Sequence, residues 1–328
     1  TGGAAWGAMP HGAAVAAAAA GAAWLVGRGA TWYTRGRSGG GAPRFAAAPG
    51  AGASPAVTPH GSAAEDALVR RIEHQSQVAA EVELAAVMQQ AFIPDGRPRG
   101  LGPVELAGSF IPASQCGGDW WAALELPEGA GTLVLVADVT GHGIGAARIT
   151  AAARGAYDAA LRLGGGATDL EGLMAAMDAA VRRVGAGHYH MTCFAALIDP
   201  ERRVRFTSAG HVAPYVARLV DDGRVQIDAL VARGNPLGIG TGQSAAAVIE
   251  QSLRPGDLVI FYSDGLIDCV SPTGDRLGDR RMQRLLRDIV TADLDIGSVR
   301  DRIEHAVQEF AGGTQQPDDI TFVAVRAR

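Results

Sequence analysis

The chain has 328 residues, a formal net charge of −5 and a pI near 5.9. That length buries at least one full core, and the charge balance lacks the basic footprint of a nucleic-acid binder, so no nucleic-acid partner is expected. Cys116, Cys193 and Cys269 lie far apart with no C-x-x-C pair, so neither a disulfide framework nor a thiolate zinc site is indicated, and a reducing compartment fits.

The chain begins at Thr1 rather than methionine, which leaves a fragment and a processed product both open. Residues 1–27 contain no Lys, Arg, Asp or Glu, and the apolar run from Ala13 to Val26 is long enough for the last part of a membrane span. Arg28, Arg35, Arg37 and Arg44 follow it, with Trp24, Trp32 and Tyr33 at the edge. Under the positive-inside rule this flank is cytoplasmic, and the rest of the chain is then attached to the inner face of the cell membrane. The other reading of residues 1–27 is a low-complexity Ala/Gly segment; a signal peptide fits less well, because no basic region precedes the apolar run. Residues 28–63 read as a linker, rich in Gly, Ala, Pro and Ser from Ser38 to Ser62.

Residues 64–94 change to helix-forming composition, with Leu68, Ile72, Gln75, Ala79, Val82 and Ala86 at alternating spacings of four and three. This predicts an amphipathic helix from Ala64 to Phe92, packed on the domain that follows, with weak homodimerisation through the stripe as the sharper alternative. Pro94, Asp95 and Gly96 end it. Beyond Gly102, β-type runs at Val104–Ile111, Gly131–Asp138, Met191–Asp199, Val204–Ser208, Val225–Leu230, Ala246–Gln251, Asp257–Ser263 and Ile320–Val325 mix with helical stretches. The helices are predicted at Gly145–Leu161, Asp169–Val184, Asp279–Val290 and Ile296–Phe310. Consecutive strands with helices grouped in pairs argue for α+β layers rather than an alternating parallel sheet.

Four aspartates, Asp119, Asp138, Asp264 and Asp318, sit beside turn-forming residues, three of them before or after strongly apolar runs, and none has an adjacent Lys or Arg. One strand-end Asp beside Gly is usually a turn or a helix cap. Several converging at one end of a sheet repel one another unless a cation compensates, and oxygen-only ligands select hard ions such as Mg2+ or Mn2+. Two such ions sharing a water suit phosphate ester hydrolysis with no protein nucleophile. Asp119, Asp138, Asp264 and Asp318 are therefore the candidate catalytic and metal-binding residues.

The ordered set Pro112-Ala113, Gly117-Gly118-Asp119-Trp120-Trp121, Asp138-Val139-Thr140-Gly141-His142-Gly143, Ala209-Gly210-His211, Gly234-Asn235-Pro236-Leu237-Gly238, Pro255-Gly256-Asp257, Ser263-Asp264-Gly265-Leu266 and Asp318-Asp319-Ile320-Thr321 resembles the PPM metal-dependent protein phosphatases. It is most similar to their sporulation stage II E type branch. The resemblance implies a β-sandwich of two antiparallel sheets flanked by helical layers over residues 95–328. It also implies a protein serine/threonine phosphatase with two Mn2+ or Mg2+ ions. By the same resemblance Asp138 and the Val139 carbonyl hold metal, Asp264 and Asp318 complete the site, Asp119 binds directly or through water, and Asp319 supports them. The implied substrate is a phosphorylated signalling protein, of the anti-sigma-factor-antagonist class.

Two departures stand out. The family often has an acidic residue where this chain has Ala122, and the arginine that grips phosphate in the eukaryotic 2C-like relatives has no evident counterpart. His142 is read as structural, and His211 as fixing its loop. Two other classes compete: a catalytically silent binding module of the same fold, and a dinucleotide site at Gly141-x-Gly143-x-x-Ala146, whose expected second acidic strand is replaced by Gly164-Gly165-Gly166.

Overall fold

Along the central strands the side chains alternate between two buried faces, because both faces of each sheet's centre are covered. In β4 (Thr132–Val139), Leu133, Leu135, Ala137 and Val139 point one way, Val134 and Val136 the other, and all are buried. A computed structural model of the chain describes residues 63–141, 143–163, 169–240 and 245–328. The expectations for residues 1–27, for the linker over 28–62 and for His142 lie outside the described residues. No helix among the described residues is long and apolar enough to cross a membrane.

One six-stranded sheet has the order β1-β2-β11-β10-β7-β8. It is built from β1 (Arg99–Leu101), β2 (Val104–Ile111), β7 (Tyr215–Leu219), β8 (Val225–Ala229), β10 (Leu258–Tyr262) and β11 (Ile320–Ala327). The second, five-stranded, has the order β3-β4-β5-β6-β9, from β3 (Trp120–Glu125), β4, β5 (Met191–Ile198), β6 (Arg203–Ala209) and β9 (Ile249–Ser252). All pairings of these strands are antiparallel.

The outer face of the five-stranded sheet buries Ile149 and Tyr157 of α2 (Ile144–Leu163) and Leu173, Met177 and Val181 of α3 (Leu170–Gly185). The outer face of the other sheet packs on Met282, Leu286 and Ile289 of α5 (Gly278–Thr291) and Val299, Ile303 and Val307 of α6 (Ile296–Ala311). Between the sheets lies a third cluster, where Phe194 stacks on Phe206 with centroids 5.5 Å apart and meets Phe261 at 6.0 Å. This is the α+β sandwich with helical layers that the resemblance implied.

Three strands and one helix were not anticipated. β3 begins in Trp-Trp-Ala-Ala, without the β-branched residues that mark a strand, and β7 is a short run just after Pro214. β1 spans three residues, and α4 (Asp264–Asp268) spans five, too short for a helical period to show. The strand expected at Ala246–Gln251 starts later, at Ile249, because Ala246 makes an isolated bond to the Ser208 carbonyl. The dinucleotide reading fails: β4 runs antiparallel to both its neighbours, so Gly141 and Gly143 do not open a parallel βαβ unit.

Helix α1 (Ala63–Gln90) forms where the sequence placed it, but its stripe is not packed along its length. Leu68 and Ile72 are 58% and 56% exposed, whereas Val82, Ala85 and Ala86 are half-buried and Gln89 is buried. Only the C-terminal end meets the sandwich, because packing there is set by where Gln89 inserts rather than by the stripe.

Phe194→Ala empties the space between the sheets and should lower stability by about 3–5 kcal/mol. Denaturant unfolding followed by tryptophan fluorescence and circular dichroism measures this.

Candidate metal centre

At one end of the sandwich, β4 delivers Asp138, the exit of β10 delivers Asp264 as the first residue of α4, and the approach to β11 delivers Asp318. One carboxylate oxygen from each lies within 4.8 Å of the others. Asp138 comes from the five-stranded sheet and the other two from the six-stranded sheet, so the trio closes the gap between the layers. Three of the candidate aspartates are thus brought together.

Asp119 stands outside the trio, at the entry to β3, and is 1% exposed. Its Oδ2 is sealed from solvent without a hydrogen-bond partner. Burial, and next the charge of Asp138, push its carboxyl well above the usual range. Burial, followed by Asp264 and Asp318, raises Asp138 from 3.8 to about 8. Asp264 is raised by burial and by Asp268. Three acids whose carboxyls are raised by burial and by neighbouring carboxylates, one of them with an orphaned buried oxygen, together with the Asp318 carboxylate, are a donor set that fits hard divalent cations.

Asp319, beside this cluster, organises the backbone. Its Oδ1 accepts from Ala113 N at 2.9 Å and its Oδ2 from Gly118 N at 2.9 Å, which ties the Pro112–Asp119 loop to the start of β11. The fit requires glycine: a Cβ on Gly117 would sit 1.4 Å from Asp319 Oδ2, and one on Gly118 would lie 2.4 Å from the Val139 carbonyl oxygen. The Val139 carbonyl therefore lies against Gly118, while its side chain is in the helix-facing core.

Sequence reasoning missed Gln89. From the last turn of α1 its Nε2 donates to the carbonyls of Gly117 (3.0 Å) and Asp119 (3.1 Å), and its Oε1 accepts from Gly117 N (2.8 Å). Thr150 on α2 adds a bond to the Gly118 carbonyl at 3.0 Å. Nothing marks Gln89 in sequence, since a polar residue near a helix end is ordinary. Ala122, the departure from the family pattern, is buried in the helix-facing core and pairs with Leu135, three rungs from Asp138. At about 3.3 Å per residue an acid there would lie roughly 10 Å along the strand from Asp138.

The raised carboxyls set a pH dependence. An acid whose folded pKa is raised favours the fold fully below its unfolded value, and that contribution is lost as pH rises through the folded value. In EDTA, the melting-temperature advantage of Asp138→Asn over wild type should therefore widen from about pH 4 to about pH 8. A gap flat across that window would mean that Asp138 ionises normally.

A profile of the Stage II sporulation protein E (SpoIIE) family matches residues 128–328. The chain is 23% identical over 257 residues to the phosphoserine phosphatase RsbU of Bacillus subtilis, covering 77% of this chain and 72% of that protein. Among solved structures it is similar to the SiaA-PP2C domain of Pseudomonas aeruginosa, with a TM-score of 0.64, 24% identity, and 78% of this chain and 99% of that one covered. It is also similar to the PP2C phosphatase domain of SpoIIE from Bacillus subtilis, with a TM-score of 0.57, 19% identity, and 70% and 64% covered. With the profile spanning more than half of its length, the chain belongs to the SpoIIE family.

Proposed function

We propose that this chain is a metal-dependent protein serine/threonine phosphatase. The observation that carries the reading is the convergence of Asp138, Asp264 and Asp318 from both sheets on one point. Two Mn2+ or Mg2+ ions, when bound, supply positive charge that lets water attack a phosphate ester at neutral pH. Asp138, Asp264 and Asp318 would hold them, Asp119 would take part directly or through water, and the Val139 carbonyl would add a neutral oxygen. Asp319 keeps the Gly117–Asp119 backbone in register with β11. The carboxylates are acceptors only once ionised, so cation binding would release a proton from Asp138 at neutral pH.

The substrate is a phosphoserine or phosphothreonine on a signalling protein, and we read it as an anti-sigma-factor antagonist on the strength of the similarity to RsbU. Residues 95–328 are the catalytic domain in this reading, and α1 is its control element. Gln89 supports that assignment, because movement of α1 along its axis would pull three hydrogen bonds from the loop that carries Asp119.

Phosphate release from a phosphoserine or phosphothreonine peptide should need Mn2+ and be abolished in folded Asp138→Asn and Asp264→Asn. Full activity in folded Asp264→Asn would refute the site, and metal binding without turnover in wild type would indicate a silent binding module. Gln89→Ala should keep the fold yet lose about ten- to hundredfold in turnover, the range seen when the groups that orient metal ligands are removed. An unchanged rate would reduce α1 to a tether.

A further inference from the structure

The acidic trio is drawn from two sheets that share no backbone ladder, so its spacing depends on whatever crosses the gap at that end. His211 crosses it. It lies on the connection from β6, in the five-stranded sheet, to β7, in the six-stranded one, and is buried. Its Nδ1 is 2.7 Å from Thr192 Oγ1, and its Nε2 is 2.9 Å from the Tyr262 carbonyl oxygen. Thr192 is the residue directly opposite Asp138 in the β4–β5 ladder. Tyr262 is the last residue of β10, two before Asp264, and pairs with Phe322 of β11, the strand that Asp318 precedes.

The hydrogen-bonding roles are fixed by the partners. A carbonyl only accepts, so Nε2 carries the proton and donates to Tyr262; Nδ1 then accepts from the Thr192 hydroxyl. Burial holds the ring at a pKa of about 4, so this neutral tautomer persists across the neutral range. The backbone of His211 is pinned as well, its N–H donating to Ser208 Oγ at 3.1 Å.

We propose that His211 is a positioning residue: a strut between Thr192 and Tyr262 that sets the distance between the Asp138 half and the Asp264/Asp318 half of the site, and through it cation affinity. This rests on the metal-centre reading above and goes beyond a role in fixing its own loop. A loop-fixing histidine would need only the backbone contacts to Ser208. The side chain instead ties β5, the ladder partner of the strand that presents Asp138, to the end of β10, which leads into Asp264.

The test is Mn2+ binding by titration calorimetry, with melting temperature and circular dichroism on each variant. Thr192→Val removes one arm with little change of shape and leaves His211 in place. His211→Ala removes both arms. His211→Gln offers an amide oxygen to Thr192 and an amide N–H to Tyr262. Folded Thr192→Val and His211→Ala should bind Mn2+ about ten- to hundredfold more weakly, the loss typical when a group that orients ligands is removed, with His211→Gln recovering most of it. If Thr192→Val and any folded His211 variant melt lower but bind Mn2+ as tightly as wild type, the strut is overturned and the loop-fixing role stands. Asp138→Asn separates the two readings. Wild type that binds no Mn2+, or Asp138→Asn that binds it normally, takes down the metal centre and the strut with it.

Discussion

Mutual repulsion among carboxylates governs this molecule's working end. Asp138, Asp264 and Asp318 are held within reach of one ion, with Asp119 buried close enough for Asp138 to raise its pKa. Without a cation, such a cluster is stable only if protons remain on it, and Asp138 accordingly ionises only near pH 8. The surrounding structure therefore has to resist separation. Asp319 fastens the Ala113 and Gly118 backbone to β11, Gln89 and Thr150 hold the carbonyls of the same loop, and His211 spans the sheets beside it. Each of these bonds fixes the backbone that carries a carboxylate rather than neutralising it, which leaves the charge free to bind a cation.

The sandwich supplies the rigidity this needs. Both sheets are covered on the outside by helix pairs and on the inside by each other, so strands such as β4 and β10 are buried on both faces. Continuous apolar runs usually signal parallel sheets. Here they arise in antiparallel ones, because four layers leave the central strands no solvent face. The aspartates can sit at strand ends with little freedom, since the residues behind them are locked by aromatic packing such as Phe194 on Phe206 and Phe261.

Helix α1 joins these arguments at one residue. Most of its apolar positions are exposed in the single chain, including Leu68, Ile72, Leu84 and Val87, while its final turn reaches the Gly117–Asp119 loop through Gln89. An element with few packed side chains and one set of strong contacts at its tip moves at low cost except where it touches the site.

The sequence by itself determined the α+β class and most element positions, because strand burial on two faces leaves unbroken apolar runs, and it marked Asp138, Asp264 and Asp318 as carboxylates beside such runs. It could not reveal β3, whose two tryptophans are followed by alanines and which has no β-branched residue or polar alternation, or α4, which is too short for a helical period to show. Tertiary structure alone decided which acids meet: Asp138, Asp264 and Asp318 form the trio, Asp119 is buried beside Asp138, and Asp319 bonds the backbone. It also supplied the contacts of Gln89 and of the His211 side chain. Their contacts join residues 28 and 51 positions apart in the chain, and a hydrogen bond at that separation leaves no local pattern to read.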